Sequence, residues 1–269
     1  MSKTDAIHPA LERFVAQLGS GLVLGQVLIV RQERGYELRH AEDASMAAAE
    51  LRLLKIEALR AWAQATESGA FRPLKSAPNL RRGWRAVAPG EAGLESALDR
   101  LYPGALADWA AAQSDPPPVT HYRAFTNRQT GLYRATQMLT DAQAAQVIRA
   151  GCHGRFCLKR RWWTVEGLAP DAPGAKSLIP CLEPCAVLLE FARKAFRIEQ
   201  TERVPMALSP EDLETIRSAL LVALAHPDAG VREGDVGAPS HPRRIQLALE
   251  KLRGVEASGG ETEAQAPSK

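Results

Sequence analysis

The sequence predicts a mainly α-helical fold with a small N-terminal β-hairpin, which is an α+β class. Three observations carry this prediction. Apolar residues recur at helical spacing through most of the 269 residues, one pair of β-type runs lies near the N-terminus, and all four cysteines fall within residues 152–185. We therefore expect a helical domain followed by a small cysteine-rich domain that binds a cluster.

The N-terminal residues predict the helix and the hairpin. Residues 8–19 place apolar side chains at the spacing of an amphipathic helix. Runs of large and β-branched apolar residues follow at 22–32 and 36–41, and the Arg-Gly pair between them favours a hairpin turn. We expect residues 1–44 to form this part of the fold.

Most of the remaining chain has a helical pattern. Pro103 divides one of these stretches, because proline cannot continue a helix. We expect a helical domain at 45–145, a cluster-binding domain at 146–253 and a disordered tail at 254–269, which is rich in Gly, Ser, Ala and Glu. The predicted helices span residues 45–66, 93–113, 123–138, 140–150, 185–199 and 242–252, with another that begins at Ser209-Pro210-Glu211.

The composition limits the partners and the location of the chain. Hydrophobic residues make up 45% and charged residues 24%, as in ordinary soluble domains. A net charge of +3 gives no overall attraction to nucleic acid or anionic membranes. No targeting segment and no run of roughly 20 apolar residues is visible. We expect a cytoplasmic protein that binds neither nucleic acid nor membrane.

The four cysteines are the strongest functional signal. Cys152 and Cys157 are separated by four residues, and Cys181 and Cys185, separated by three, follow 23 residues later. In a cytoplasmic chain such pairs are more often metal ligands than disulfides. Two close pairs can converge on one centre, and four thiolates are the ligand set of a [4Fe–4S] cluster. We predict that these cysteines bind one such cluster.

The neighbouring residues suit a cluster. Its net charge of about −2 has to be offset if it is partly buried, and basic residues lie at 155 and 159–161, around Cys157. Cys185 precedes a predicted helix, whose N-terminal N–H groups and dipole favour an anion. We expect the tryptophans at 162 and 163 to help screen the cluster from water.

Other uses of these cysteines stay open at this point. A structural zinc on four cysteines tolerates similar gaps, although two residues is its commonest spacing. Two disulfides, or four buried inert thiols, are further alternatives. His153 could also replace one cysteine as a ligand, although a side chain next to Cys152 usually points elsewhere.

Two segments resemble a known family. Gly-Cys-His-Gly-Arg-Phe-Cys-Leu-Lys-Arg-Arg-Trp at 151–162 and Pro-Cys-Leu-Glu-Pro-Cys at 180–185 resemble the C-terminal iron–sulfur domain of some sirohydrochlorin cobaltochelatase-like (CbiX-type) proteins. Upstream segments resemble the helical stabilising domain that precedes the cluster domain there. These further segments lie at 82–84, 101–109 and 128–133, with downstream similarity at 232–235 and 242–244.

The resemblance implies a [4Fe–4S] cluster on the four cysteines and a role beside cobalamin or siroheme synthesis. The chelatase modules, which are paired α/β domains with metal-inserting histidines, have no counterpart in the pattern of this chain, so chelatase activity is not implied. We expect electron transfer or redox sensing with a separate chelatase or another redox partner. The alternative is a non-enzymatic chelatase partner or tetrapyrrole-binding protein in which the cluster or a zinc is structural.

No catalytic constellation stands out, and we expect a protein that is not itself an enzyme. A basic and aromatic stretch precedes the cysteines, with Arg123, Arg128 and Arg134 beside Tyr122 and Tyr133. It suits an acidic ligand such as the carboxylates of a tetrapyrrole, or it is a solvated helix face. A catalytic site in the helical domain, dependent on Arg128, is a further alternative.

Overall fold

The computed structural model of the chain describes two compact units. It covers residues 9–66, 69, 71, 77–114, 118–201, 206–228, 230–232 and 234–259. Unit 1 comprises residues 1–125, 154–164 and 169–185, and unit 2 comprises residues 126–153, 165–168 and 186–269. Helices predominate beside a five-stranded sheet and a two-stranded one, so the predicted α+β class is confirmed. The predicted boundaries at 44, 145 and 253 stay predictions.

Unit 1 contains a five-stranded sheet. Its strands are β1 (Leu22–Leu24), β2 (Val27–Gln32), β3 (Gly35–His40), β4 (Arg52–Leu54) and β5 (Trp84–Ala88). They lie in the order β1-β2-β3-β5-β4, and β4 and β5 are parallel whereas the other neighbours are antiparallel. The predicted hairpin is present as β2 and β3, but it is part of a larger sheet.

Helices pack against this sheet. Phe14 meets Trp109 edge to face, with ring centroids 5.2 Å apart, and both side chains lie in the apolar core of unit 1. The predicted break at Pro103 is confirmed, because one helix ends before it and the next begins after it. The helices before residue 130 are α1 (Pro9–Ala16), α2 (Leu59–Ala63), α3 (Gly90–Leu101), α4 (Ala105–Ser114) and α5 (Tyr122–Thr126).

The prediction of one helix over residues 45–66 is wrong. This stretch contains the strand β4, a 3-10 turn at Ile56–Ala58 and the short helix α2. Strand β4 forms by pairing with β5, where Arg52 lies opposite Trp84. Pairing with a strand about thirty residues away in the sequence outweighs the local helix propensity. The apolar pattern within residues 45–66 does not indicate this distant partner.

The predicted strand over residues 22–32 is two strands, β1 and β2, joined by a tight turn. Gly25 lies in this turn at φ +66°, and a Cβ added there would come within 2.7 Å of the Tyr102 ring carbon Cζ. The Tyr102 hydroxyl accepts a hydrogen bond of 3.2 Å from the backbone N–H of Gln26. The turn therefore requires glycine both for its φ and for the close approach of Tyr102.

Unit 2 is helical. Thr140 forms a capping box with Gln143, and Ser209 forms another with Asp212, as the predicted helix starts require. The predicted helix at 123–138 is wrong, because α5 ends at Thr126 and a separate 3-10 helix spans Gly131–Met138. The helices of unit 2 are α6 (Asp141–Gly151), α7 (Ala186–Glu199), α8 (Pro210–Ala225) and α9 (Pro242–Gly259).

The last helix is longer than its sequence pattern indicates. Helix α9 continues to Gly259, so the first residues of the predicted tail at 254–269 are helical. The rest of that tail, from residue 260, lies outside the described residues. Among the helices that the structure describes, none has the length and apolar character that a membrane span requires.

We expect Gly25→Ala to destabilise the protein more than Gly104→Ala does. Both glycines have positive φ, +66° and +73°, but only Gly25 has a neighbour in the path of the new methyl group. The conformational cost is about 1–2 kcal/mol at each position, and overpacking against Tyr102 adds about 1–3 kcal/mol at Gly25. Urea unfolding followed by far-UV circular dichroism measures both variants. Equal losses would contradict the packing argument.

Candidate metal centre

The four cysteines lie at the ends of ordered elements or on short strands. Cys152 caps the C-terminus of α6 in unit 2, and its N–H bonds the carbonyl of Ile148 at 2.8 Å. Cys157, Cys181 and Cys185 belong to unit 1. All four side chains are partly exposed, and the described residues contain no disulfide, so the disulfide alternative is wrong in this structure.

Cys185 lies where the sequence predicts. Helix α7 begins at Ala186, the next residue. The first N–H groups of a helix have no partners within the helix and carry partial positive charge. Cys185 therefore precedes a helix end that favours a bound anion, in agreement with the expectation from the sequence.

A relay of hydrogen bonds holds the segment that carries Cys157. The side-chain N–H of Gln26 donates to Asn79 at 3.0 Å, and the Asn79 amide donates to the carbonyl of Arg155 at 2.6 Å. One residue after the cysteine, the N–H of Leu158 donates to the carbonyl of Ala77 at 2.8 Å. The turn after β1 and the residues before β5 thus fix the loop on both sides of Cys157.

Cys181 is held by a two-stranded parallel ladder. Its strands are β6 (Arg160–Arg161) and β7 (Pro180–Cys181). The carbonyl of Cys181 accepts a bond of 2.9 Å from the N–H of Trp162, and the N–H of Arg160 donates to the carbonyl of Ile179 at 2.8 Å. Because Ile179 is fully buried in the core of unit 1, this ladder ties Cys181 to that core.

Two of the basic residues near Cys157 are already paired with acids. The Nζ atom of Lys159 lies 2.8 Å from an Asp108 carboxylate oxygen. Arg161 is buried and lies 3.3 Å from Asp171, and it also donates to the carbonyl of Trp163. The sequence pattern therefore overstates the positive charge that is available to offset a cluster.

The Cys181 thiol is sensitive to the other thiols of unit 1. Burial, together with the nearby Cys185 and Cys157, raises the pKa of Cys181 to about 12. Trp163 and Lys159 act in the opposite direction. Without a metal this thiol stays protonated at neutral pH, so metal binding has to release its proton.

The pKa of Lys159 is shifted by some of the same groups. Burial alone lowers the pKa of Lys159, but the hydrogen bond and charge of Asp108, together with Cys181 and Cys157, raise it overall. Lys159 therefore keeps its positive charge beside the thiols. It connects Asp108 on α4 with the cysteine segment.

A buried N–H group without an acceptor lies in the cysteine segment. The indole Nε1 of Trp163 is buried and forms no hydrogen bond in the structure. Such a donor suits an anionic thiolate centre. In the described part of the chain, no group of three or more His, Cys, Asp and Glu side chains is gathered closely enough to hold a single metal ion.

Comparison with known protein families identifies the cysteine region. Residues 114–194 match the family model described as a 4Fe-4S iron-sulfur cluster binding domain, and this range contains all four cysteines. Residues 8–113 match the model described as the DR2241 stabilising domain. This chain is an iron–sulfur protein. The resemblance to a 4Fe-4S domain preceded by a stabilising domain is thereby confirmed, whereas the predicted domain bounds stay predictions, and the zinc alternative gains no support.

One solved structure is similar over most of the chain. It is DR2241 from Deinococcus radiodurans, described as a multi-domain protein with structural similarity to chelatases and two additional novel domains. The TM-score is 0.59 at 30% identity, and the match covers 70% of this chain but 41% of DR2241. No curated protein matches the chain. The chain is thus related to a chelatase-like protein, and the narrower resemblance to sirohydrochlorin cobaltochelatases stays a prediction.

Several residues that hold the cysteine segment belong to no recognisable sequence motif. Gln26, Asn79 and Asp108 lie far from the cysteines in sequence and meet their segment only through the fold. The double tryptophan at 162–163 is a visible signal, but the pattern does not show which ring faces a thiol. Of the basic and aromatic stretch, Tyr122 is buried.

We expect Gly151→Ala to destabilise unit 2, whereas Gly154→Ala leaves stability unchanged. A Cβ on Gly151 would lie 2.9 Å from the Cδ1 atom of Phe191 and 3.0 Å from that of Leu188, but a Cβ on Gly154 meets nothing within 4 Å. Overpacking next to Cys152 costs about 1–3 kcal/mol. Thermal unfolding by circular dichroism measures both variants. A loss for Gly154→Ala as large as that for Gly151→Ala would contradict the argument.

Proposed function

We propose that Cys152, Cys157, Cys181 and Cys185 ligate one [4Fe–4S] cluster and that the protein works in electron transfer or redox sensing. The observation that carries the proposal is the match of residues 114–194, including all four cysteines, to a 4Fe-4S cluster binding domain. When bound, such a cluster takes up and releases single electrons. Four cysteine ligands leave no iron open to a substrate, which favours a carrier or sensor over an enzyme.

The surrounding residues support this role. The ladder of β6 and β7 orients Cys181, and the relay through Asn79 orients the loop of Cys157. Lys159 supplies a cation whose charge Asp108 partly balances. Cys181 is partly exposed, and solvent exposure is one of the factors that set a cluster potential.

Replacing any of the four cysteines by serine should abolish or strongly reduce cluster binding. Protein purified without oxygen should contain about four irons and four sulfides per chain and absorb broadly in the visible range. Each variant should lose most of both, because serine is a poor ligand for iron–sulfur clusters. His153→Ala is the matched control, and it should keep the full iron content. Full iron in a cysteine variant, or loss of iron in His153→Ala, would assign a different ligand set.

We also propose that the chain works with a separate chelatase of the sirohydrochlorin cobaltochelatase (CbiX) type, in cobalamin or siroheme synthesis in the cytoplasm. The support is the similarity to DR2241, whose description includes structural similarity to chelatases. This chain spans 41% of that protein. A purified chelatase of this type should form a complex with the protein that gel filtration detects. Separate elution at micromolar concentrations would exclude a stable complex.

A structural cluster is the second candidate function, and one observation favours it. Between Cys157 and Cys185, the regular secondary structure consists of two strands of two residues each. Most of its internal hydrogen bonds belong to turns and side chains such as Arg161 and Ser177, and a segment with so little regular structure gains stability from a metal staple. Reversible bleaching by dithionite favours electron transfer. A cluster that no mild reductant changes, and whose removal unfolds the segment, favours the structural role.

The basic stretch before the cysteines is the proposed contact for a tetrapyrrole. Arg128 and Arg134 are exposed in unit 2, whereas Arg123 is half-buried. Replacing both exposed arginines by alanine should weaken sirohydrochlorin binding about a hundredfold or more, since each charge-assisted bond to a carboxylate contributes about 1.5–3 kcal/mol and about 1.4 kcal/mol is a factor of ten. Absorbance titration measures this, with Arg217→Ala on α8 as the control. Equal affinity in all variants would mean that these arginines are only a solvated surface.

A further inference from the structure

Trp163 has the most unusual surroundings of the residues near the cysteines. Its side chain is fully buried. Its indole Nε1 is shielded from water and forms no hydrogen bond of normal geometry. The residue before it, Trp162, donates its backbone N–H to the carbonyl of Cys181 at 2.9 Å, so Trp163 lies next to the strand that carries this cysteine. A buried N–H without an acceptor is costly, so a nearby sulfur that becomes negative would satisfy it.

The position of the indole ring is fixed on several sides. Tyr122 stacks against it, with centroids 6.1 Å apart and planes at 29°. The guanidinium of Arg161 lies 5.4 Å from the ring centroid. The next residue, Thr164, donates to the carbonyl of Thr120 at 2.9 Å. The ring therefore cannot turn to another acceptor without disturbing this packing.

Unit 1 offers an internal comparison. The indole Nε1 of Trp84 is also buried and without a partner, and that side chain is also fully buried. Trp84 lies on β5 between β3 and β4, whereas Trp163 follows the strand that pairs with Cys181. The two tryptophans thus share burial and an unpaired N–H but differ in their neighbours.

We propose that Trp163 is a positioning residue that donates an N–H···S hydrogen bond to the thiolate of Cys181 and thereby raises the reduction potential of the cluster. This inference rests on the proposed function. Hydrogen bonds to cluster sulfurs are among the factors that set the potential. The reduced cluster carries one more negative charge than the oxidised one, so a donor stabilises the reduced state more.

The test compares Trp163→Phe with Trp84→Phe in the full chain with its cluster. Both changes remove an indole N–H and keep an aromatic ring. We expect Trp163→Phe to lower the equilibrium constant for one-electron reduction about tenfold, which corresponds to about 59 mV, with the iron content kept. Trp84→Phe should leave the potential unchanged. Redox titration followed by visible absorbance measures both.

A second measurement tests the hydrogen bond first in the unaltered protein. In wild-type protein with 15N-labelled indole nitrogens, pulsed EPR of the reduced cluster should detect one weakly coupled nitrogen. That coupling should persist in Trp84→Phe and disappear in Trp163→Phe. Wild-type protein without this coupling, or equal potentials in the two variants, would overturn the role of Trp163 and leave the proposed function intact. Wild-type protein without iron and sulfide would overturn both.

Discussion

The cysteine segment of unit 1 depends on hydrogen bonds to a distant part of the chain. Its own regular structure is limited to β6 and β7, and side-chain hydrogen bonds such as that of Asp171 with the Arg161 N–H add local support. The backbone of Ala77 and the side chain of Asn79 hold the loop around Cys157, and Gln26 in turn holds Asn79. The turn after β1 and the residues before β5 therefore contribute directly to the position of the Cys157 loop.

The electrostatics of the segment follow a second principle, which is that buried cations are matched by nearby anions. Asp171 and Asp108 balance Arg161 and Lys159 respectively. Buried ion pairs avoid the large desolvation cost of an unpaired charge. The basic side chains therefore stabilise a negatively charged cluster less than their number in the sequence suggests. Oriented dipoles, such as the indole N–H of Trp163 and the N-terminus of α7, stabilise it more.

The sequence predicts those features whose causes are local. Helix caps at Thr140 and Ser209 and the break at Pro103 are visible in short windows, and the structure confirms them. The two cysteine pairs are equally visible and lie within the range of the 4Fe-4S family match, and their role as ligands stays a prediction. Strands β4 and β5 form only by pairing across the chain, so a helical pattern over residues 45–66 was misleading. The residues that hold the cysteine loop could not be predicted for the same reason, because a single Asn or Gln in a sequence does not indicate its hydrogen-bond partner.

The distribution of tryptophan has a practical consequence. All five tryptophans of the chain lie in unit 1, and unit 2 has none, although it contains Tyr133. Intrinsic fluorescence excited at long wavelength therefore reports on unit 1 alone. Iron–sulfur centres absorb in the emission range of indole, so a bound cluster should quench the fluorescence of the buried Trp163 ring. The emission intensity therefore measures which fraction of a preparation contains the cluster.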